Sequence, residues 1–176
     1  MAMSVPFEGP IFDGKRTVPS PRCRCLILEM LKLTDADKVL EIGTGSGTQT
    51  HDLAQTGAAV HSIELEPWID VTIPVGDCVY LHSGDGFKGL PERAPFTAIV
   101  ATCGIEQIPK AWEDQLADGG RLLAPIGDAS NQRLTLFRKH GTDLIPERIA
   151  AYVRFQMLRD KPVPKPPKYQ PAGVIA

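Results

Sequence analysis

Residues 37–66 read DKVLEIGTGSGTQTHDLAQTGAAVHSIELE, and this segment carries the clearest structural pattern in the chain. The mostly apolar stretch at residues 38–42 predicts a short strand, and the glycines after it predict a tight loop. Residues 48–55 can continue as a helix, and residues 58–65 have the composition of a second strand that ends in acids. A strand, a loop, a helix and a further strand form one unit of a parallel α/β sheet.

The alternation of strands and helices continues on both sides of this unit. Further strands are predicted at residues 78–82, 96–102 and 121–125, and further helices at residues 25–33 and 108–116. Two final strands, at residues 134–139 and 151–158, have no helix between them, only a turn region around Gly141. We therefore predict an α/β, Rossmann-like fold with a mostly parallel sheet and a C-terminal antiparallel hairpin.

One crossover of this sheet departs from the usual pattern. Only 20 residues separate Glu64 from Asp85, and Pro67 and Pro74 fall between them. A parallel crossover normally needs a dozen or more residues and contains a helix, whose interior proline disrupts. The sequence therefore predicts that the crossover helix after the second strand is reduced or missing.

The length of 176 residues predicts one domain. Residues 1–160 are assigned to that domain, and residues 1–24, which begin with a Pro- and Gly-rich stretch, are predicted to form an irregular N-terminal arm. Residues 161–176 are rich in proline, which fits poorly into helices and sheet ladders. We therefore expect an extended or disordered tail.

Composition excludes several classes of function. The formal net charge of −2 gives no reason to expect non-specific nucleic-acid binding, and no 18-residue apolar run indicates a membrane span. Residues 1–8 lack the basic start and apolar core of a secretory signal. The four cysteines form no CxxC pair and accompany no paired histidines, which predicts reduced thiols and no metal site. We expect a cytoplasmic monomer.

The glycine loop at residues 41–47, EIGTGSG, narrows the choice of ligand. Its glycines let the backbone turn sharply and let a ligand approach the main chain. The spacing is GxGxG, whereas a dinucleotide site has GxGxxG, and no Lys-Ser/Thr follows as in a P-loop. Glu41 can lie near a ligand's ammonium group, directly or through water. These features favour a ligand with an amino-acid moiety and no pyrophosphate.

Two further acids follow the next predicted strands. Glu64 ends the second strand, where a carboxylate can accept hydrogen bonds from a ribose diol, and Glu66 is the alternative for that role. Asp85, between Gly84 and Gly86, follows the third strand and can accept from an exocyclic amine such as adenine N6. Acids at the ends of three successive strands together predict a site for S-adenosylmethionine.

Six stretches of the chain carry a resemblance to a known family. They are TVPSP at residues 17–21, DKVLEIGTGSG at 37–47, HSIE at 61–64, GDG at 84–86, the series APF, IP, QL and DGGRLLAPIG within 94–127, and YVRFQML at 152–158. On these stretches the chain resembles the protein-L-isoaspartate O-methyltransferase family, with the motifs in family order.

The resemblance implies a class I methyltransferase that transfers a methyl group from S-adenosylmethionine to a carboxylate. The acceptor it implies is a carboxylate of an isoaspartyl or aspartyl residue in a protein or peptide, typically the α-carboxyl of an isoaspartyl residue. The residues predicted to bind the cofactor are Glu41, Gly43, Gly45, Ser46, Gly47, Glu64, Asp85 and Gly86.

The resemblance also implies which residues orient the acceptor. Thr102 falls where the family has a threonine at the end of its fourth strand. In the TVPSP segment Pro19 occupies the position of a family serine that lies beside the reacting centre, and Ser20 is one step away. We therefore take Thr17, Ser20 and Thr102 as the catalytic candidates. A carboxylate is an adequate nucleophile near neutral pH, so no general base is required.

Two other functions stay open at this point. The altered arm and Pro19 favour a methyltransferase for another peptide or a small-molecule acceptor, and loss of the crossover helix is compatible with a non-catalytic binding module. An amino-methyltransferase of nucleic acids normally has an Asn/Asp-Pro-Pro-Tyr/Phe segment after the fourth strand. Residues 102–105 read TCGI at that place, which disfavours this class. The misplaced third glycine disfavours a dehydrogenase.

Overall fold

A computed structural model of the chain describes residues 11–12, 17–65 and 77–162. Its strands are β1 (Ile11–Phe12), β2 (Thr17–Val18), β3 (Lys38–Ile42), β4 (Ala59–Glu64), β5 (Val79–Ser83), β6 (Phe96–Ala101), β7 (Leu116–Gly127), β8 (Gln132–His140) and β9 (Asp143–Val153). Its helices are α1 (Pro21–Leu31), α2 (Thr48–Ala54) and α3 (Lys110–Gln115), with 3₁₀ turns at Gly86–Lys88 and Pro91–Arg93.

Seven strands form one sheet in the order β5-β4-β3-β6-β7-β8-β9. The pairs from β5 to β7 are parallel, and β8 and β9 add an antiparallel hairpin at one edge. The predicted fold class is therefore confirmed. The chain leaves β3 towards β4 on one side and later returns to β6 on the other, and ligands of open α/β sheets bind at such a reversal.

The core lies on both faces of this sheet. On one face α1 and α2 bury Ile27, Leu31 and Leu53 against the strands. On the other face the buried Trp112 of α3 packs in a cluster with Leu40. Strands covered on both faces are apolar at successive positions, which explains the short apolar runs that predicted them. The predicted bounds of β3 are confirmed, and those of β4, β5 and β6 are right to within one residue at each end.

Helix α1 begins four residues before the predicted start at residue 25. The Ser20 side chain accepts a hydrogen bond from the backbone N–H of Cys23 at 3.3 Å, and Pro21 occupies the first turn. Both are favoured at a helix start, but neither contributes to apolar periodicity. Residues 21–24 therefore belong to the helix, and their assignment to an irregular arm is wrong.

The last strand is also displaced from its predicted place at residues 151–158. Strand β9 spans Asp143–Val153, because a tight turn at Gly141 and Thr142 pairs His140 directly with Asp143. Pro146 is tolerated in β9 because the strand lies at the sheet edge and the pairing register shifts beside this residue. Residues 154–158 lie outside the sheet, apart from a bridge between Met157 and Gly104.

Three sequence predictions concern residues outside the described part of the chain. The reduced crossover helix falls on residues 66–76, nearly all of the proline-rich tail lies beyond residue 162, and the arm is described only at residues 11–12 and from residue 17. These stay predictions. Among the described residues, no helix is long and apolar enough to cross a membrane.

Candidate active site

A cavity opens where the carboxyl ends of β3, β4 and β6 meet, beside the reversal in the sheet order. Its wall includes six of the predicted site residues, namely Gly43, Gly45, Ser46, Glu64, Gly86 and Thr102. The glycine loop supplies half of them, and the rest come from β4, the 3₁₀ turn after β5 and the end of β6. The parallel topology therefore brings together residues far apart in sequence.

The glycine loop needs its glycines for two different reasons. Gly43 has φ +97°, and a Cβ added there would lie 2.7 Å from Thr102 Oγ1. Gly45 has φ +55°, and a Cβ there would meet nothing within 4 Å. Close packing explains the first glycine, whereas the second leaves backbone facing the open space of the cavity. Backbone of this kind can be approached closely by a ligand.

Glu64 is held at the cavity wall by the backbone of two loops. Its Oε2 accepts a hydrogen bond from the Gly45 N–H at 2.9 Å, and its Oε1 accepts from the Leu65 N–H at 3.0 Å. A carboxylate has about four acceptor positions, so these bonds fix its direction and are compatible with further bonds to a ligand. The position is the one predicted for binding a diol.

Glu41 lies beneath the glycine loop and is fully buried. The Thr50 and Ser62 hydroxyls donate to its Oε2 at 2.5 and 2.6 Å, while its Oε1 has no partner among the described residues. Burial raises the pKa of this carboxyl to about 7. The predicted direct contact with a ligand is not met in this arrangement, because the carboxylate faces α2 and β4; a contact through water stays a prediction.

Asp85 and Gly86 occupy different places although they are neighbours. Gly86 borders the cavity, and a Cβ there would lie 2.7 Å from Ile42 Cγ2. The Asp85 carboxylate instead accepts from the Phe87 N–H at 3.0 Å and lies 3.6 Å from Lys88 Nζ. It caps the 3₁₀ turn and is not part of the cavity wall. The predicted contact of Asp85 with adenine stays a prediction.

The three catalytic candidates do not meet at one point. Thr102 borders the cavity, but its hydroxyl donates to the backbone carbonyls of Ile42, at 3.0 Å, and Gly43. Ser20 is buried and caps α1, where its oxygen accepts from the Cys23 N–H. Its predicted role in orienting the acceptor stays a prediction. The backbone of Thr17 pairs with Phe12, and its side chain lies outside the described atoms.

Gln49 is a residue of this cavity that the sequence analysis missed. It borders the cavity from the first turn of α2 and is 3% exposed. Its amide nitrogen and its amide oxygen are both buried and without a partner in the described part of the chain. A polar side chain in the first helical turn after a glycine loop was the available signal.

The segment after β9 forms a second missed part of the wall, because residues 156–159 border the cavity. The Gly104 N–H donates to the Gln156 carbonyl at 2.8 Å, and the Leu158 N–H donates to the Gly104 carbonyl at 2.8 Å. The buried Gln132 side chain donates to the Phe155 carbonyl at 3.0 Å and accepts from the Phe155 N–H at 2.7 Å. The YVRFQML stretch is the available signal, but its composition predicts a strand at this position.

Metal ligands do not cluster in the described residues, where no group of three or more His, Cys, Asp or Glu side chains could hold an ion. Cys23, Cys25, Cys78 and Cys103 are all free thiols.

Comparison with known proteins identifies the family. The family model "Protein-L-isoaspartate(D-aspartate) O-methyltransferase" matches residues 7–162. The protein-L-isoaspartate O-methyltransferase of Trichlorobacter lovleyi is 40% identical over 162 residues, which cover 88% of this chain and 75% of that protein. The enzyme of the same name from Flavobacterium psychrophilum is 38% identical over 158 residues, covering 86% of this chain and 74% of that protein.

Solved structures agree with this assignment. A protein-L-isoaspartate O-methyltransferase superimposes with a TM-score of 0.74 at 27% identity, over 85% of this chain and 51% of that one, so this chain spans about half its length. A Plasmodium falciparum protein, described as a possible member of the family and solved with S-adenosyl-L-homocysteine, has a TM-score of 0.70. It is 19% identical over 88% of this chain and 82% of that one, which supports the fold alone. With a family model that covers residues 7–162 and relatives up to 40% identical, the chain belongs to the protein-L-isoaspartate(D-aspartate) O-methyltransferase family.

Proposed function

We propose that this chain transfers the methyl group of S-adenosylmethionine to the α-carboxyl of an isoaspartyl residue in a protein or peptide. Family membership supports the reaction class, the donor and the acceptor class. The observation that carries the proposal is the pairing of Glu64 with the Gly45 N–H at the wall of a cavity. This places a carboxylate beside open backbone at the carboxyl edge of a parallel sheet.

The residues of the cavity fit an adenosyl donor. Glu64 can accept from the hydroxyls of a ribose, and the open space at Gly45 leaves room for atoms that pass close to the loop. Gly86 borders the same cavity, and close packing explains its glycine, because a Cβ there would lie 2.7 Å from Ile42 Cγ2. We assign Gly43, Ser46 and Gly47 to the same binding loop.

The chain contributes position and exclusion of water, and no general base is needed. When bound, S-adenosylmethionine would supply a methyl group on a sulfonium; an O–CH3 bond to the acceptor carboxylate would form as the S–CH3 bond broke, with the bonding pair staying on the sulfur of the S-adenosylhomocysteine product. Ile42, Ile63 and Leu158 give the cavity apolar wall, which removes water from the opposite charges. Thr102 fixes the end of β6 to the glycine loop and so keeps the reacting geometry.

A second candidate, a methyltransferase for another peptide or a small-molecule acceptor, has one observation in its favour. Pro19 borders the cavity, and proline offers neither a hydroxyl nor a backbone N–H to an acceptor. With proline in place of serine, this part of the cavity therefore has fewer hydrogen-bond donors for the methyl acceptor.

Transfer of a radiolabelled methyl group tests the proposal directly. We expect label in a peptide with one isoaspartyl residue and none in the matching aspartyl peptide. Glu64→Gln should reduce transfer at limiting donor concentration, whereas Glu29→Gln, on the exposed side of α1, should not. Label only in other acceptors would favour the second candidate. Donor binding without label in any acceptor would favour a non-catalytic module.

The proposal also covers the location, the oligomeric state and the partners of the protein. We infer a cytoplasmic monomer without nucleic-acid or membrane partners, with one domain over residues 1–160. Four free thiols suit a reducing compartment, and a net charge of −2 offers no attraction to polyanions. Light scattering on a sizing column should give a mass near 19.1 kDa, and a mass of twice that value would contradict the monomer.

A further inference from the structure

Gln49 carries a buried amide whose hydrogen-bonding groups are unpaired among the described residues. The side chain lies in the first turn of α2, directly after the glycine loop, and borders the cavity. Its amide nitrogen and oxygen are both buried, and neither has a partner among the described residues. Buried amide groups are nearly always hydrogen-bonded, because an unmade bond costs the full desolvation of the group. An orphaned amide at the edge of a cavity is therefore a candidate binding group.

The hydrogen-bonding groups of an amide indicate which part of a bound ligand Gln49 would contact. Its nitrogen donates two hydrogen bonds and its oxygen accepts, so one side chain can serve a carboxylate and an ammonium group together. The amino-acid end of S-adenosylmethionine carries this pair of groups. Glu64 and Gln49 also reach the cavity from different elements, because Glu64 ends β4 and Gln49 lies in the first turn of α2.

We propose that Gln49 binds the amino-acid end of the donor, with its amide nitrogen donating to the carboxylate and its amide oxygen accepting from the ammonium group. The inference rests on the proposed function, since it needs an adenosyl donor in this cavity. It adds to that function a residue that makes the site bind adenosyl ligands with an amino-acid end more tightly than adenosines without one. Gln49 is thus a specificity residue for the donor.

Two ligands that differ only in this end provide the test. S-adenosylhomocysteine has the amino-acid end, and 5′-methylthioadenosine lacks it but keeps the adenosine and the sulfur. Both should be titrated by calorimetry into the wild type, into Gln49→Leu and into Gln55→Leu. Gln55 is the matched control, because it is an exposed glutamine at the other end of α2.

We expect Gln49→Leu to weaken S-adenosylhomocysteine binding by about tenfold to a hundredfold, the effect of lost hydrogen bonds to charged groups. The affinity for 5′-methylthioadenosine should stay within about twofold, since that ligand cannot reach Gln49. Gln55→Leu should bind both ligands like the wild type. The unfolding midpoint of ligand-free Gln49→Leu should equal or exceed that of the wild type, because no hydrogen bond within the protein is lost.

Two results would overturn the assignment while leaving the proposed function intact. An equal loss of affinity for both ligands, together with a lower unfolding midpoint, would make Gln49 a structural residue of α2. Unchanged affinity for both ligands with a raised KM for the isoaspartyl peptide would assign it to the acceptor. A wild type that binds neither ligand would remove the donor site, and with it both the proposed function and the role of Gln49.

Discussion

Glu41 and Glu64 lie near the same glycine loop, but they have different surroundings. Glu64 reaches the cavity and is held by backbone N–H groups, whereas Glu41 is enclosed by α2 and β4. Burial raises the pKa of Glu41 to about 7, the hydroxyls of Ser62 and Thr50 oppose the rise, and the charge of Glu64 adds to it. An acid with this pKa changes charge near neutral pH.

The pKa of Glu41 predicts a pH-dependent stability. Between about pH 4.5 and pH 7 the unfolded chain loses this proton while the folded chain keeps it. The carboxyl therefore lowers the free energy of unfolding as pH rises through that window, by on the order of 3 kcal/mol. His61 and His82 have lowered pKa values and act in the opposite sense, but they are the same in both proteins. Urea unfolding at pH 5 and pH 8, without donor, should therefore show a change with pH that is less favourable in the wild type than in Glu41→Gln. An identical change in both proteins would contradict the assigned pKa.

The residues of this site differ in how well the sequence alone predicts their position and surroundings. The positive φ of Gly43 and Gly45 follows from residue type, because only glycine adopts such angles without strain. The spacing of the acids placed Glu64 at the cavity. The orphaned amide of Gln49 and the burial of Glu41 could not be predicted, because both depend on which side chains of distant strands lie beside them.

Among the elements, α1 shows why helix ends are harder to predict than helix centres. The apolar stripe that predicts the helix includes Ile27, Met30 and Leu31, which are buried against the sheet. The start is set by a local hydrogen bond from the Cys23 N–H to Ser20, and the end by Lys32 in a left-handed conformation with φ +48°. Neither feature is periodic, so the pattern predicts the centre of the helix and misplaces its ends.

The cap of α1 gives a prediction that separates structure from catalysis. Ser20→Ala should lower the free energy of unfolding by about 1 kcal/mol, the usual effect of losing an N-cap. Ser20→Asn, which can also cap, should restore most of that loss in urea unfolding. If Ser20 acts only as a cap, both variants should keep the wild-type kcat for methyl transfer. A kcat that falls in both variants would instead support the acceptor-orienting role predicted from sequence.

For the molecule as a whole, the cavity is closed by a segment that lies last in the described chain. Residues 154–158 leave the sheet edge and return to the end of β6, where Met157 bridges Gly104. The buried Gln132 holds this segment by pairing with both backbone groups of Phe155. The hairpin of β8 and β9 was predictable from alternation and turn residues. This return was not, because it depends on the Gln132 side chain and on backbone bonds to Gly104, both distant in sequence.

Removal of the Gln132 amide should affect both stability and the site. Gln132→Met keeps a side chain of similar length but leaves the Phe155 N–H and carbonyl without their partner, which should cost about 2–3 kcal/mol in urea unfolding. The affinity for S-adenosylhomocysteine should fall as well, since residues 156–159 form part of the cavity wall. Gln107→Met, at an exposed position, is the control. Unchanged affinity in a destabilised Gln132→Met would show that the segment does not shape the donor site.

The central claim is that Glu64 and the glycine loop bind the adenosyl donor, and calorimetric titration with S-adenosylhomocysteine tests it most directly. The wild type should bind one molecule per chain. Glu64→Gln keeps an oxygen that can accept from the Gly45 N–H but loses the charge, and should bind about tenfold to a hundredfold more weakly. Equal affinity in the two proteins, or no binding by the wild type, would contradict the account.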